Sequence, residues 1–434
     1  MQYDIAAGVD NPTLNMLASQ LYTTLYPNIF KNTFNIGSGG LVSVVMDINQ
    51  SPTVYIAQSE QAHEFITRHI TQDNHLTALS QSSQQALIDK FTQGSFDVKL
   101  PSVALSVVSQ PDGQPQQTTL LVAAVNATAS ISTQVVAKVN SLTITINTAT
   151  LVAVPPYDTP GYAALIALLN GLFVPVLVDY LNKSLLKDII IPALEFESIV
   201  VSMPVPVVQN PFLVAYSALG STQPDPGPAS GWPMNCGFAA VDTNVLQQLA
   251  NIPFPLGPSD SFDWDIISGQ VQAQVLAPTN IMINADGSVT GSITAKASAT
   301  LTIHTPWPLP NLDIGPTASA TVTATFIPSV QNKALFIKAN GLPAFNFDFN
   351  FEPIPDWIQY ILDPLLDGLN TALNAVFGPL ISNIIPPIEV YTIPDISFSI
   401  EGTNVNININ DATTSRGGPD NNLLLVRANL SLSS

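Results

Sequence analysis

Apolar and polar residues alternate along most of this chain. "SLTITINTATLVAV" from Ser141 and "ASATLTIHTPW" from Ala297 are clear cases. Period two is the signature of a strand with one buried face. "QPDGQ" around Asp112 and "NADGS" around Asp286 carry the Asp-Gly pair that closes tight hairpins. The pattern predicts a largely antiparallel β protein.

Three stretches break the alternation and read as helices. In the first, Asp10 or Asn11 caps a helix with Pro12 at its first position, and Leu14, Leu17, Leu21 and Leu25 share one face. The second, residues 161–186, is apolar nearly all round, with Asn170, Asp179 and Asn182 as exceptions. Such a helix needs cover on more than one side. The third, residues 356–380, is amphipathic. Ile358, Ile361, Leu362, Leu365, Leu366, Leu369, Leu373, Val376 and Leu380 share an arc of about 140°. Gln359, Asp363, Asp367, Asn370 and Asn374 occupy the opposite arc, which reads as solvated, and Pro364 is expected to kink the early turns. A long apolar stripe on a helix most often packs on an ordinary core. An apolar ligand is the other way to cover it.

The chain also resembles itself. "STQPDPGPASGWP" from Ser221 is dense in Pro, Gly and Ser, which is linker chemistry, and it cuts the chain near its middle. "GVDNPTLNMLASQL" from Gly8 matches "AAVDTNVLQQLANI" from Ala239, where Asp242 caps a helix carrying Val245, Leu246 and Leu249. The closing stretches "NPFLVAYSAL" and "NNLLLVRANLSL" match in order too, each after a long helix and an Ile-Pro strand at Ile191 or Ile393. The expected organisation is a first unit over residues 1–222, a linker over 223–233 and a second unit over 234–434. A polar helical insertion over about 58–92 makes the first unit the longer one.

Composition narrows the function. Hydrophobic residues make up 46% and charged residues 10%, and the net charge is −19 with 12 Lys plus Arg. No basic patch is present for phosphates, so nucleic acid is not an expected partner. Anionic membranes are not attracted either, which leaves at most transient membrane contact. Cys236 is the single cysteine, so no internal disulfide or Cys-based metal cluster forms. "MQYDIAAGVDNP" lacks the basic and apolar regions of a signal peptide. In this numbering that suits a cytoplasmic or non-classically secreted protein, and a mature extracellular form also fits. "YAALIALLNGLFVPVLV" from Tyr162 falls short of the ~20 apolar residues of a spanning helix and contains Asn170, Gly171 and Pro175.

Catalytic and metal chemistry find little support. His63, His69 and His75 recur six apart, which places them on different faces of a helix, and His304 stands alone on a strand. "NIGSGGL" around Ser38 is neither a nucleophile elbow nor a phosphate loop. Asp363 and Asp367 lie one turn apart on a polar face, and Asp263 and Asp265 flank Trp264 on the outward side of a strand. No constellation meets the requirements of an active site, so no enzyme, catalytic residue or metal is expected.

The early helix from Asp10, the repeated sequence of long helix and Ile-Pro strand, and the closing strand pairs together resemble the tubular lipid-binding superfamily. The likeness is to its two-domain branch of bactericidal permeability-increasing and lipid-transfer proteins, and to bacterial relatives encoded beside clostridial neurotoxins. The resemblance implies an α+β fold, with two tandem units of strongly curved antiparallel sheet wrapped around long amphipathic helices. It implies non-enzymatic binding or transfer of lipids or other long apolar ligands, with no cofactor beyond a bound phospholipid or fatty acid. Acyl chains would lie against Leu165, Leu168, Leu169, Leu172, Phe173, Val176 and Leu177 in one unit. In the other they would meet Ile358, Ile361, Leu362, Leu365, Leu369, Leu373 and Val376. Leu14, Leu17 and Leu21 would close one end. The acidic charge and the lone cysteine depart from the family's lipopolysaccharide-binding and disulfide-bonded members, so lipopolysaccharide recognition is not carried over. The alternative is a scaffold with a filled core, partnering other proteins in a secreted or toxin-associated complex.

Overall fold

The structure is a computed structural model. It describes all residues except 1–2, 37–41, 57–66, 68–69, 72–76, 79, 93–94, 110–115, 137–138, 187–189, 193–198, 227–230, 265–266, 305–310, 332, 351–370, 378–386, 393–395, 401–402 and 434.

Strand β1 (Ile5–Asp10) leads directly into α1 (Asn11–Leu25), followed by β2 (Lys31–Ile36), β3 (Val42–Ile48), β4 (Thr53–Tyr55) and α2 (Gln81–Thr92). Three long strands come next: β5 (Ser95–Ser109), β6 (Gln116–Val136) and β7 (Val139–Ala153). After them run α3 (Pro160–Leu172), α4 (Val174–Tyr180) and a π turn (Leu181–Leu185). Then come β8 (Ile190–Pro192), β9 (Val205–Gln209) and β10 (Phe212–Ser217). Strand β11 (Gly237–Val241) runs into α5 (Thr243–Asn251). Beyond it lie β12 (Ser259–Trp264), β13 (Ile267–Val275), β14 (Thr279–Ile283), β15 (Val289–Ile303), β16 (Leu312–Ile314), β17 (Thr317–Gln331) and β18 (Ala334–Ala339). The last strands are β19 (Ile388–Thr392), β20 (Ile396–Ile400), β21 (Thr403–Gly417) and β22 (Leu423–Ser433).

These strands build three strongly curved antiparallel sheets with few helices, an α+β architecture. The first sheet has the order β2-β3-β5-β6-β7-β8, with β4 beside β5. The second has the order β12-β13-β15-β17-β18-β19, with β14 and β16 beside β15. The alternation that predicts strands is what buries one face of each. Along β15, Val289, Ile293, Ala295, Ala297, Ala299, Leu301 and Ile303 all point into the core, and Lys296, Ser298 and Thr300 point out. The hairpin at Asp286 forms as its Asp-Gly pair predicts, with Gly287 at a φ of +82° and Asn284 N–H bonded to the Ser288 carbonyl at 2.8 Å. Its counterpart at Asp112 lies outside the described residues.

The central sheet, ordered β20-β21-β22-β11-β1-β10-β9, draws strands from both ends of the chain. Its register is symmetric about one pair. Ala7 on β1 faces Ala239 on β11, Ile5 faces Val241, and Val9 faces Gly237. Outside them, Ala7 pairs with Ala215 on β10 and Ala239 with Val426 on β22. A rotation that exchanges Ala7 with Ala239 therefore exchanges Ile5 with Gly237, Val9 with Val241, Leu213 with Leu424 and Ala215 with Val426. One face of this sheet is closed by an aromatic cluster in which Trp232 stacks on Phe238 at 4.9 Å and Tyr3 meets Tyr216 at 4.8 Å. Gly8 makes room for it, since a Cβ there would come within 2.6 Å of the Phe238 ring.

Both short helices start as their sequences predict. The Asp10 carboxylate accepts from Thr13 N–H at 3.1 Å, with Pro12 in the first turn of α1. The Asp242 carboxylate accepts from Val245 N–H at 2.9 Å at the start of α5. The apolar stretch expected as one helix over 161–186 is in pieces. It breaks at Phe173, because Pro175 has no N–H to continue the ladder and instead sits in the first turn of α4. Leu169, Phe173, Val174 and Leu177 pack into the core of the first sheet. By length and composition Pro160–Lys183 is apolar enough to cross a membrane, with 22% of its most apolar window buried. Here it is a docked surface helix. Of the third helix predicted over 356–380, residues 371–377 are helical, with Leu373 and Phe377 fully buried, and the remainder lies outside the described residues.

Candidate apolar binding site

The inner face of the central sheet carries three rows of side chains that run across the strands. The first row is Ser217, Ile5, Val241 and Leu424. The middle row is Ala215, Ala7, Ala239 and Val426. The third is Leu213, Val9, Gly237 and Ala428. The symmetry swaps the first row with the third, and it sets Ile5 against Gly237 and Val426 against Ala215. One end of the sheet therefore presents much larger side chains than the other.

The consequence is visible in the packing. At the larger end, Ile5, Val241, Leu424 and Val426 are buried within one continuous core together with Val245, Leu246 and Leu249 of α5. Phe345, Phe347, Phe349 and Phe377 complete that core, with ring centroids 5.5–6.0 Å apart along the contacts of Phe347. Only about 20 Å³ remains beside Leu246 and Leu249. At the smaller end a cavity of about 250 Å³ lies over the sheet. Its floor is Ala7, Ala215, Ala239, Val9 and Gly237, and its far wall is Leu430 with Ile407 and Ile409 of β21. Leu14 and Leu17 of α1 and Ile131 and Leu142 of the first sheet also border it. Ala7, Ala215 and Ala239 sit mid-sheet yet are only half-buried, because none of the described residues fills the space over them.

Leu14 and Leu17 follow the Asp10 cap by the same offsets at which Leu246 and Leu249 follow the Asp242 cap. The second pair is buried at 3% and 4% exposure, while the first borders the hollow and is only half-buried. Helix α1 is nevertheless held firmly. Asn15 gives its amide N–H to the Val54 carbonyl and accepts from Val54 N–H, both at 2.8 Å. Asn11 accepts from Ile56 N–H at 2.9 Å, and Gln20 accepts from Leu432 N–H at 2.8 Å.

Among its described lining residues the cavity has no ionisable side chain, and Ser217 alone is polar. Acidic groups of the central sheet lie outside its lining. Asp4 and Asp242 share Asn244, whose amide lies 3.2 Å from one carboxylate and 2.8 Å from the other. Burial, followed by the charge of Asp4, pushes the Asp242 carboxyl up to about 7. At the position equivalent to Asp4 stands Cys236, buried and free, its thiol pushed up by burial and then by the Asp10 charge.

The structure distributes the residues predicted as a ligand surface. Leu14 and Leu17 line the cavity, and Leu21 packs beside them on the first core. Leu165, Leu169, Phe173 and Leu177 belong to that core, whereas Leu168, Leu172 and Val176 face solvent. None of these seven lines the cavity. Leu373 and Val376 belong to the second core, and Ile358, Ile361, Leu362, Leu365 and Leu369 lie outside the described residues.

Sequence reasoning missed the polar residues that dock the helices. Asn170 bonds both backbone groups of Leu151, at 2.7 and 2.9 Å, and Asn182 does the same to Ile146 at 2.8 Å. Asn374, expected on a solvated arc, bonds Phe347 N–H and C=O at 2.8 and 2.9 Å. Asn170 and Asn182 mimic a neighbouring strand beside β7, and each of the three amides satisfies backbone groups that would otherwise be orphaned. A lone amide on an otherwise apolar helix is the signal that could have revealed them.

No reactive cluster emerges. Among the described residues no group of His, Cys and acidic side chains could hold a metal ion. Ser268 and His304 lie 3.0 Å apart at the surface, without the enclosed geometry a nucleophile requires. His63, His69, His75, Ser38, Asp265, Asp363 and Asp367 lie outside the described residues.

No protein-family model matches the chain, and no curated protein matches it in sequence. Among solved structures, P47 of Clostridium botulinum E1 is similar at 9% identity over 99% of each chain, with a TM-score of 0.43. P47 from Clostridium botulinum A2 is similar at 8% identity over 98% of this chain and 97% of that one, with a TM-score of 0.45. A lipopolysaccharide binding protein is similar at 8% identity over 99% of each chain, with a TM-score of 0.36. These are the two kinds of protein to which the sequence resemblance points. At such identities and TM-scores they carry no argument about function.

Proposed function

We propose that this protein binds a long apolar molecule, without chemical transformation, in the cavity between α1 and the central sheet. The observation that carries the reading is an apolar hollow of about 250 Å³ in which, among the described lining residues, Ser217 is the single polar side chain. An engineered apolar cavity of about 150 Å³ stays dry and binds benzene, so a larger one has room for a more substantial hydrocarbon. Burial of each methylene gains about 0.8 kcal/mol, which is driving force enough without a charged anchor. The division into tandem units over 1–222 and 234–434 belongs to the same proposal, and the register symmetry about Ala7 and Ala239 supports it. In this reading the partner is a lipid or other apolar small molecule, and the ligand surface predicted on the long helices contributes through Leu14 and Leu17.

A scaffold with a filled core is the second reading. It is favoured by the closed packing around Leu246, Leu249 and Phe377, where only about 20 Å³ stays open beside the two leucines. Mass spectrometry of a solvent extract from protein purified without detergent separates the two. Ligand binding predicts a stoichiometric apolar compound in the extract, or stoichiometric uptake of an added one. An empty extract together with no uptake would favour the scaffold.

A further inference from the structure

Resting on that reading, we propose that the cavity takes a single unbranched hydrocarbon chain of about ten carbons, lying across β10, β1 and β11 with its polar group left outside. The length follows from volume. If about 150 Å³ accommodates the six carbons of benzene, 250 Å³ accommodates about ten. The shape follows from the floor. The small residues Ala215, Ala7 and Ala239 stand in register on three adjacent strands. At ~4.8 Å between strands they form a trough about 10 Å long running across the sheet. Ile5 and Val241 flank it in one row and Leu213 and Val9 in the other, with Ser217 and Gly237 as the smaller members of those rows. The volume is also below the ~300–1,000 Å³ of sites that enclose drug-sized ligands, so a fused-ring or two-tailed lipid does not fit whole. The polarity follows from the walls. A carboxylate or phosphate inside would find, among the described lining residues, no counter-charge and only the Ser217 hydroxyl, and burial of an unpaired charge is strongly unfavourable.

The test is a calorimetric titration of the full, delipidated chain with straight-chain alcohols from hexanol to tetradecanol. Affinity should rise about fourfold per methylene, the equivalent of ~0.8 kcal/mol, and level off near ten carbons. A rise that continues unbroken through tetradecanol would overturn the length limit while leaving the binding reading intact. Failure of every alcohol to bind would instead overturn the binding reading itself. Decanoate should bind, and decanedioate, with a charge at both ends, should bind at least a hundredfold more weakly. Equal binding of the two would contradict a chain whose far end is buried. Ala7→Leu should move the plateau to about seven carbons, and Ala239→Val, a smaller change should the first variant not fold, to about eight. A plateau unmoved in a folded variant would place the chain elsewhere and overturn the proposal.

Discussion

The two ends of the central sheet are built from equivalent parts and reach opposite outcomes. Each has a strand that runs into an aspartate-capped helix, and each helix presents two leucines three residues apart. Around Leu246 and Leu249 the space is filled by Ile5, Val426 and a group of phenylalanines. Around Leu14 and Leu17 the equivalent sheet positions hold Gly237 and Ala215, and about 250 Å³ stays open. The comparison teaches that a cavity here does not need a different fold. Two side-chain truncations on the strands that flank β1, Gly237 and Ala215, accompany the change from a filled core to an open cavity.

The largest test of that contrast is stability. Phe377→Ala should cost about 3–5 kcal/mol and Leu249→Ala about 2–5 kcal/mol, because both leave new voids in a closed core. Leu17→Ala should cost only about 1 kcal/mol, since its side chain already borders open space. Denaturant unfolding would measure all three, and equal losses at Leu17 and Leu249 would break the comparison. The amide docking should not distinguish the two regions. Asn170→Leu and Asn374→Leu each strand a backbone N–H and C=O and should each cost about 2–4 kcal/mol in the same assay. A much smaller loss at one of them would show that water replaces the amide there.

Exchange of the residues that differ sharpens the contrast further. Ala215→Val installs the side chain found at its equivalent, Val426, and should stabilise by about 0.5–2 kcal/mol while weakening ligand uptake. Val426→Ala should destabilise by about 2 kcal/mol. A pH effect concerns Asp242, whose equivalent neighbourhood holds Cys236 in place of Asp4. Below about pH 4 the folded and unfolded chains both keep the Asp242 proton. Between about pH 4 and pH 7 the folded chain keeps it and the unfolded chain releases it, so stability falls as pH rises through that window. Asp242→Asn should flatten this slope in unfolding midpoints taken at pH 4.5, 6 and 8, and an unchanged slope would remove Asp242 as its source.

Local features were the legible ones. The caps at Asp10 and Asp242, the hairpin at Asp286 and the alternation along β15 each depend on residues close in sequence, and the sequence pattern states them directly. The pairing of β1 with β11 was not legible, because period two tells which face a residue takes and not which strand lies beside it. The cavity depends on that pairing. Ala7, Ala215 and Ala239 are unremarkable alanines until the register places them side by side. The asparagines were misread for a related reason. A polar residue such as Asn374 looks solvated when the helix is considered alone, and its true partner is the Phe347 backbone in a separate segment of the chain. The break at Phe173 was written in Pro175, and the continuous apolar run around it obscured the signal.

The most direct test of the central claim is a crystal structure of the delipidated protein under xenon pressure, since apolar cavities bind xenon. The account predicts xenon over Ala7 and Ala239, between Leu17 and Leu430, and none beside Leu246 and Leu249. Xenon in the second core, or none over the alanine row, would contradict it.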